Sequence, residues 1–289
     1  MKTFYSKIIH FIAAGMAVVA ISACTDSQNR VECGDETGGE TVLFVPSSST
    51  RAADNTFEAG DLIGVYASTN ERGEILVSGN YAANEKYAYS AGQFIQVGKG
   101  IPKYKGDGVY AIHYYAVYPY NENQKEKFAF TISEDQSTHA AYTKNDLMMG
   151  YNSATTAETL VPLKFRHMLS QVVVNTSHAG LEGRNPSLYF LSDINKVEVN
   201  LARLTAIRSE TNTKPIDIAM CPDGLNQYKA VLPPQRMIAK EVVVYVRMDG
   251  RTYLARMEKN VSLHSGKSVV FELLPVDESN EYILRVKNT

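Results

Sequence analysis

Tryptophan is absent from this 289-residue chain, and cysteine occurs only at positions 24, 33 and 221. So few thiols exclude a disulfide-stapled framework, and Cys33 and Cys221 read as unpaired. Charge of one sign is nowhere concentrated, since 29 basic residues face 31 acidic ones with no long block of either. That argues against a nucleic-acid partner, because phosphate recognition favours a clustered basic face. Long apolar runs are scarce too. The one candidate, Ile8 to Ile21 broken by His10, is too short for a stable spanning helix. No amphipathic stretch exceeds three helical turns, and Thr138 to Met149 reads as a short helix at most.

Signatures of catalysis and metal binding are missing as well. The six histidines, at 10, 113, 139, 167, 178 and 264, lack zinc-helix or finger spacing. His167, between strands, reads as a hydrogen-bonded turn residue rather than a ligand. Ser265-Gly266-Lys267-Ser268 ends like a phosphate loop, but Val261 stands where the first glycine belongs and no helix pattern follows, so it reads as a turn. No Gly-x-Ser-x-Gly elbow and no EF-hand loop occur, and nothing selects a carboxylate pair. Asn175-Thr176-Ser177 and Asn260-Val261-Ser262 read as chance glycosylation patterns. No catalytic residue, metal ligand or cofactor is expected, and the chain reads as a non-enzyme.

What is present begins with a leader. Lys2 and Lys7 precede the apolar run, and Ile21-Ser22-Ala23-Cys24 ends it on small residues and a cysteine. This pattern is a secretory signal over residues 1–23, and its end is similar to the lipobox of bacterial lipoproteins. Acylation of Cys24 by several chains would make membrane attachment effectively permanent. Residues 25–40 are polar and Gly-rich, as a flexible tether is. An isolated strand follows at 41–45, bounded by Pro46 and the serines 47–49, with Val42 and Phe44 alternating with Leu43 and Val45. Arg51 lies in the exposed linker beyond it.

Short strands then alternate with turn signals at sandwich-like spacing: 62–67, 109–118, 127–132, 160–165 and 169–174. Tyrosine reaches 18, with a crowd at Tyr110, Tyr114, Tyr115, Tyr118 and Tyr120. That composition favours pleated surfaces. Alternate residues of the 109–118 strand face opposite sides, so at most half of the crowd could line a site, and core packing is its expected use. Asp249-Gly250 between 241–248 and 251–257 predicts a type I′ hairpin. Its register sets Val246 opposite Tyr253, Val244 opposite Ala255 and Val242 opposite Met257 on a core face. Val243, Tyr245 and Arg247 are expected on a wetter one. The fold class is all-β, two β-sandwich domains in series.

Several segments in fixed order carry a resemblance. They are Thr50-Arg51-Ala52, then Phe57 with Gly60-Asp61-Leu62-Ile63-Gly64-Val65-Tyr66, and Tyr115-Ala116-Val117-Tyr118-Pro119-Tyr120. Asp146-Leu147-Met148, Val161-Pro162-Leu163-Lys164-Phe165 with His167, Leu232-Pro233-Pro234-Gln235 and Gly266-Lys267-Ser268 complete the set. Behind a lipobox, this order resembles the fimbrillin-like proteins, type V pilus subunits of anaerobic diderm bacteria. Two departures are visible: Phe57 stands where the family often has tryptophan, and the tail is shorter than in many members.

The resemblance implies two transthyretin-like sandwiches at 52–165 and 166–289, behind a lipidated pro-segment at 24–51. It also implies an outer-membrane, surface-exposed lipoprotein that assembles with other fimbrial subunits. Proteolysis after Arg51 would release the strand holding Val42, Leu43, Phe44 and Val45, and another subunit's strand would replace it. Tyr282, Leu284 and Val286, within 281–287, are the candidate donor face; alternatively they belong to the last strand of their own sandwich. The alternative function is a monomeric surface lipoprotein that binds a glycan or host ligand.

Overall fold

A computed structural model describes residues 40–47, 57–210, 212, 214–276 and 281–287. Cys24, Cys33 and Arg51 lie outside the described residues. Period-two alternation of apolar side chains dominates the sequence, and the fold is accordingly strands, with one short helix among the described residues. In the first half these are β1 (Leu43–Ser47), β2 (Leu62–Ser68), β3 (Ala82–Ser90), β4 (Gln93–Gln96), β5 (Ala111–Tyr118), β6 (Lys127–Thr131), α1 (His139–Asn145), β7 (Met148–Thr155) and β8 (Leu160–His167). β9 (Ser170–Asn175), β10 (Ser187–Ser192), β11 (Lys196–Asn200), β12 (Thr205–Arg208), β13 (Ile216–Ala219), β14 (Cys221–Pro222) and β15 (Gln227–Leu232) follow. The last are β16 (Arg236–Met237), β17 (Val242–Met248), β18 (Arg251–Met257), β19 (Val261–Ser262), β20 (Ser268–Pro275) and β21 (Glu281–Val286).

Seven strands close into a barrel in the order β1-β4-β3-β2-β5-β7-β8. A nine-stranded sheet runs β13-β10-β17-β18-β21-β20-β9-β15-β14. β6, which lies between the barrel strands β5 and β7 in sequence, leaves the first half to pair with β11, from Lys196↔Thr131 to Asn200↔Lys127, in a three-stranded sheet with β12. The described residues form one compact unit with two hydrophobic cores. β5 serves both. Tyr114, Ala116 and Tyr118 point into the barrel, while Tyr115 and Val117 join the second core. Of the tyrosine crowd, Tyr114, Tyr115 and Tyr118 are therefore core, on both faces of one strand, whereas Tyr110 is exposed and Tyr120, beyond the end of β5, is half-buried.

The hairpin forms around Asp249 (φ 51) and Gly250 (φ 71), both left-handed as a type I′ turn requires. Val246↔Tyr253 and Val244↔Ala255 pair as the sequence predicts. Val242, however, faces Arg256, because a bulge between Val242 and Val244 inserts one residue. Val243 is thereby turned inward and buried, in place of the half-buried Val242. The stretch 138–149 is shorter as a helix than its pattern: Thr138 caps α1 by accepting from Ala141 N at 3.1 Å, and Met148 already belongs to β7. His167 is not in a turn. It ends β8, buried, with Nδ1 2.9 Å from Asp146 Oδ1.

Candidate functional site: the strand that closes the barrel

The expected strand at 41–45 is found as β1, shifted to Leu43–Ser47, with Thr41 in an isolated bridge to Pro102. It continues through Pro46 because its β4 side is paired only at Phe44↔Phe94. Beyond that point a missing N–H on that edge costs no ladder bond. On the other side it runs parallel to β8 through five positions, Leu43↔Leu160 to Ser47↔Lys164. β1 is thus the strand that turns an open sheet into a barrel, and without it the edges of β4 and β8 would both be unpaired.

Main-chain bonds fix its entry. Val42 N donates to Ile101 O at 2.8 Å, Leu43 N to Thr159 O at 2.7 Å, and Lys103 N to Glu40 O at 2.7 Å. Tyr87 holds the same corner from inside. Its hydroxyl donates to Val42 O at 3.0 Å and accepts from Ile101 N at 2.8 Å. At the exit, Ser47 Oγ donates to Leu163 O at 3.2 Å.

Alternation assigns the side chains. Val42 and Phe44 are 1% and 0% exposed, whereas Leu43 and Val45 are half-buried on the outer surface. The Phe44 ring meets Tyr87 and Tyr114 edge-on, with centroids at 5.0 and 5.2 Å. This is the geometry in which aromatic quadrupoles attract. Phe57, the first described residue after the linker, packs in turn on Phe94 and Phe165 at 4.8 and 4.9 Å. Burying side chains such as Val42 and Phe44 is worth about 1.5–3 kcal/mol each. β1 and the residue before it are thus held by two apolar anchors, Val42 and Phe44, and a row of backbone bonds, and their covalent tie to β2 is residues 48–61 alone.

The phenols around this strand make the barrel sensitive to alkali. Burial pushes Tyr87 and Tyr114 well above the ordinary tyrosine range, offset a little for Tyr87 by the Ile101 N–H. On the other face of β5, in the second core, burial raises Tyr115 to about 12, with the charges of Tyr151 and Glu74 adding to it. A phenol whose folded value is raised contributes fully below its unfolded value near 10. Between that pH and the folded value the unfolded chain ionises first, so stability falls as pH rises. Unfolding midpoints in urea are therefore expected to hold steady from pH 7 to about 9.5 and to drop from about pH 10 upward. Phenolate absorbance should lag behind that of the unfolded chain, and a midpoint unchanged at pH 11 would contradict the reading.

The remaining sequence candidates lie elsewhere. Tyr282, Leu284 and Val286 are in β21, which pairs parallel with β18 and antiparallel with β20 inside the nine-stranded sheet. Tyr282 and Leu284 are buried, 8% and 0% exposed, and Val286 half-buried. They share no sheet with β1. Among the described residues, no group of three or more His, Cys, Asp or Glu converges as a metal site would need.

A fimbrillin-like family model matches residues 50–283. No curated protein matches the chain significantly. Among solved structures, the chain is similar to a candidate cell adhesion protein of Bacteroides ovatus, with TM-score 0.70, 18% identity, and coverage of 86% of this chain and 96% of that one. A candidate cell adhesion protein of Bacteroides uniformis gives TM-score 0.60 at 18% identity, covering 86% and 98%. One from Bacteroides thetaiotaomicron gives 0.52 at 17%, covering 83% and 98%. At such identity these likenesses speak for the fold.

Proposed function

The chain belongs to the fimbrillin-like family, and on that premise we propose that it is a fimbrial subunit whose β1 stands in for a neighbour's strand. It is made as a lipoprotein precursor, held at the outer membrane through Cys24. Cleavage at Arg51 cuts the only covalent tie between β1 and the barrel. Once cut, Val42, Leu43, Phe44 and Val45 leave together, and a strand from another subunit takes the vacated edges of β4 and β8. Its role is structural or adhesive, at the cell surface, and requires no catalytic group.

The observation that carries this reading is the seat of β1: paired on both sides, anchored by Phe44, yet tied to the rest by one linker. An incoming strand that supplies the same main-chain bonds and a large side chain for the Phe44 pocket satisfies every group that β1 satisfies. Seating β1 in the precursor also keeps the two sheet edges of β4 and β8 from pairing early, which is the hazard of any open sheet.

The donor is proposed to be a C-terminal strand carrying Tyr282, Leu284 and Val286 at alternate positions. In this chain donation requires that β21 first leave its place between β18 and β20. The acceptor half of the mechanism is therefore the half that the geometry supports first.

Processing is testable in cells. Surface polymers are expected to begin at Ala52, and Arg51→Ala should leave a chain beginning at Cys24 that gives no heat-resistant ladder on a denaturing gel. Ladders of ordinary intensity from Arg51→Ala would contradict cleavage at this position.

A further inference from the structure

Away from the barrel, the nine-stranded sheet ends at β13, and residues 134–136 lie along that edge. Ala219 N donates to Glu134 O at 2.7 Å and Gln136 N to Ala219 O at 3.0 Å. Between this segment, β13, β10 and β15 lies an open cleft of about 640 Å³. That volume is in the range of sites that hold small organic ligands, about 300–1,000 Å³.

Its walls are mixed in a particular way. Tyr189 and Tyr228 present half-buried rings, and the Tyr228 hydroxyl donates to Pro186 O at 2.9 Å, which fixes that ring in place. Arg247 lies over Tyr189, its guanidinium carbon 4.2 Å from the ring centroid, and reaches Asp217 Oδ2 at 3.5 Å. A guanidinium has five donors, and this contact engages one of them weakly. Opposite, Asp135 Oδ1 accepts from Ser137 N at 2.9 Å and Ser137 Oγ at 2.6 Å, which orients the carboxylate and leaves Oδ2 available. Glu134 also lines the cleft.

The cleft thus offers aromatic rings, several carboxylate acceptors and one set of guanidinium donors within one cavity. A cationic ligand would meet a cation already in place, Arg247, on both Tyr189 and Asp217. An anionic ligand would meet three carboxylates, Glu134, Asp135 and Asp217, against that single arginine. A neutral polyhydroxylated ring meets neither penalty. Its hydroxyls donate to carboxylates and accept from a guanidinium, and its C–H face packs on a tyrosine. We propose that this cleft is a binding site for a neutral saccharide. None of the six residues belongs to the barrel strands, so the proposal stands independently of strand exchange.

The test uses the full mature chain, titrated with lactose, maltose, mannobiose and chitobiose by calorimetry and by chemical-shift mapping. At least one of the four is expected to bind saturably. Glu134→Gln and Arg247→Ala, both at exposed positions, should each weaken it by about tenfold or more while leaving the thermal midpoint of the free protein unchanged. Absence of binding by all four overturns the proposal. So does binding that survives in both variants, which would place the sugar elsewhere. Tighter binding of a trilysine peptide than of any saccharide, lost in Glu134→Gln, would also overturn it in favour of a cationic partner.

Discussion

A chain that begins at Phe57 is expected to fail as a stable monomer and to assemble or precipitate, whereas one that begins at Glu40 remains monomeric. Removing β1 takes the Val42 and Phe44 side chains from the barrel core, at about 1.5–3 kcal/mol each. It also strands the main-chain partners of Val42, Leu43 and Phe44 on two sheet edges, at about 0.5–1.5 kcal/mol per lost bond. Small domains have only about 5–15 kcal/mol of total stability, so a loss of this order removes much of it. The exposed edges then pair with whatever strand is near. Light scattering and gel filtration compare the two chains directly. A monomeric Phe57 chain with an unchanged thermal midpoint would show that β1 is an appendage.

Phe44→Ala carries the second-largest effect. The ring is fully buried between Tyr87 and Tyr114, and neither a half-buried Leu43 nor Val45 can swing in, because the pleat points them outward. Truncating a buried phenylalanine costs about 3–5 kcal/mol, part of it for the cavity left behind. Denaturant unfolding should report that loss. Leu43→Ala, one residue away on the outer face, should cost about 1 kcal/mol or less by the same measurement. Equal losses at the two positions would mean that β1 is not read by its alternation. After cleavage of the linker, Phe44→Ala should also release β1 faster, since its anchor is what the incoming strand must displace.

Much of this was legible in the sequence, and the reasons are specific. The lone TVLFV burst between a polar tether and a serine cluster could only be a strand whose partners lay far along the chain. The Asp249-Gly250 turn set its own register to within one bulge, which no local pattern announced. What the sequence hid was the receptor for Phe44. β3 and β4, which supply Tyr87 and Phe94, went unpredicted because the turn between them, Ala91-Gly92, places an alanine at φ 48, where asparagine or aspartate would have signalled a hairpin. The pairing of β6 with β11 was likewise invisible, because nothing in Phe128, Phe130 or Ile132 says which sheet their strand will join. Closure into a barrel rather than an open sandwich rests on a parallel contact between β1 and β8, about 117 residues apart, and parallel partners have no connecting turn to betray them.

The saccharide cleft was hidden for a related reason. Glu134, Tyr189, Asp217 and Arg247 come from four separate stretches, and each alone reads as an ordinary surface residue of a strand or loop. Only the path of residues 134–136 along β13 gathers them.

The exchangeability of β1 is measured most directly by cutting the 48–56 linker in purified protein and adding an excess of fluorescent peptide spanning residues 40–47. The account predicts that cut chains take up one labelled strand each and surrender their own, while uncut chains take up none. Cut chains that stay folded and monomeric with their original strand, and leave the label in solution, would contradict it.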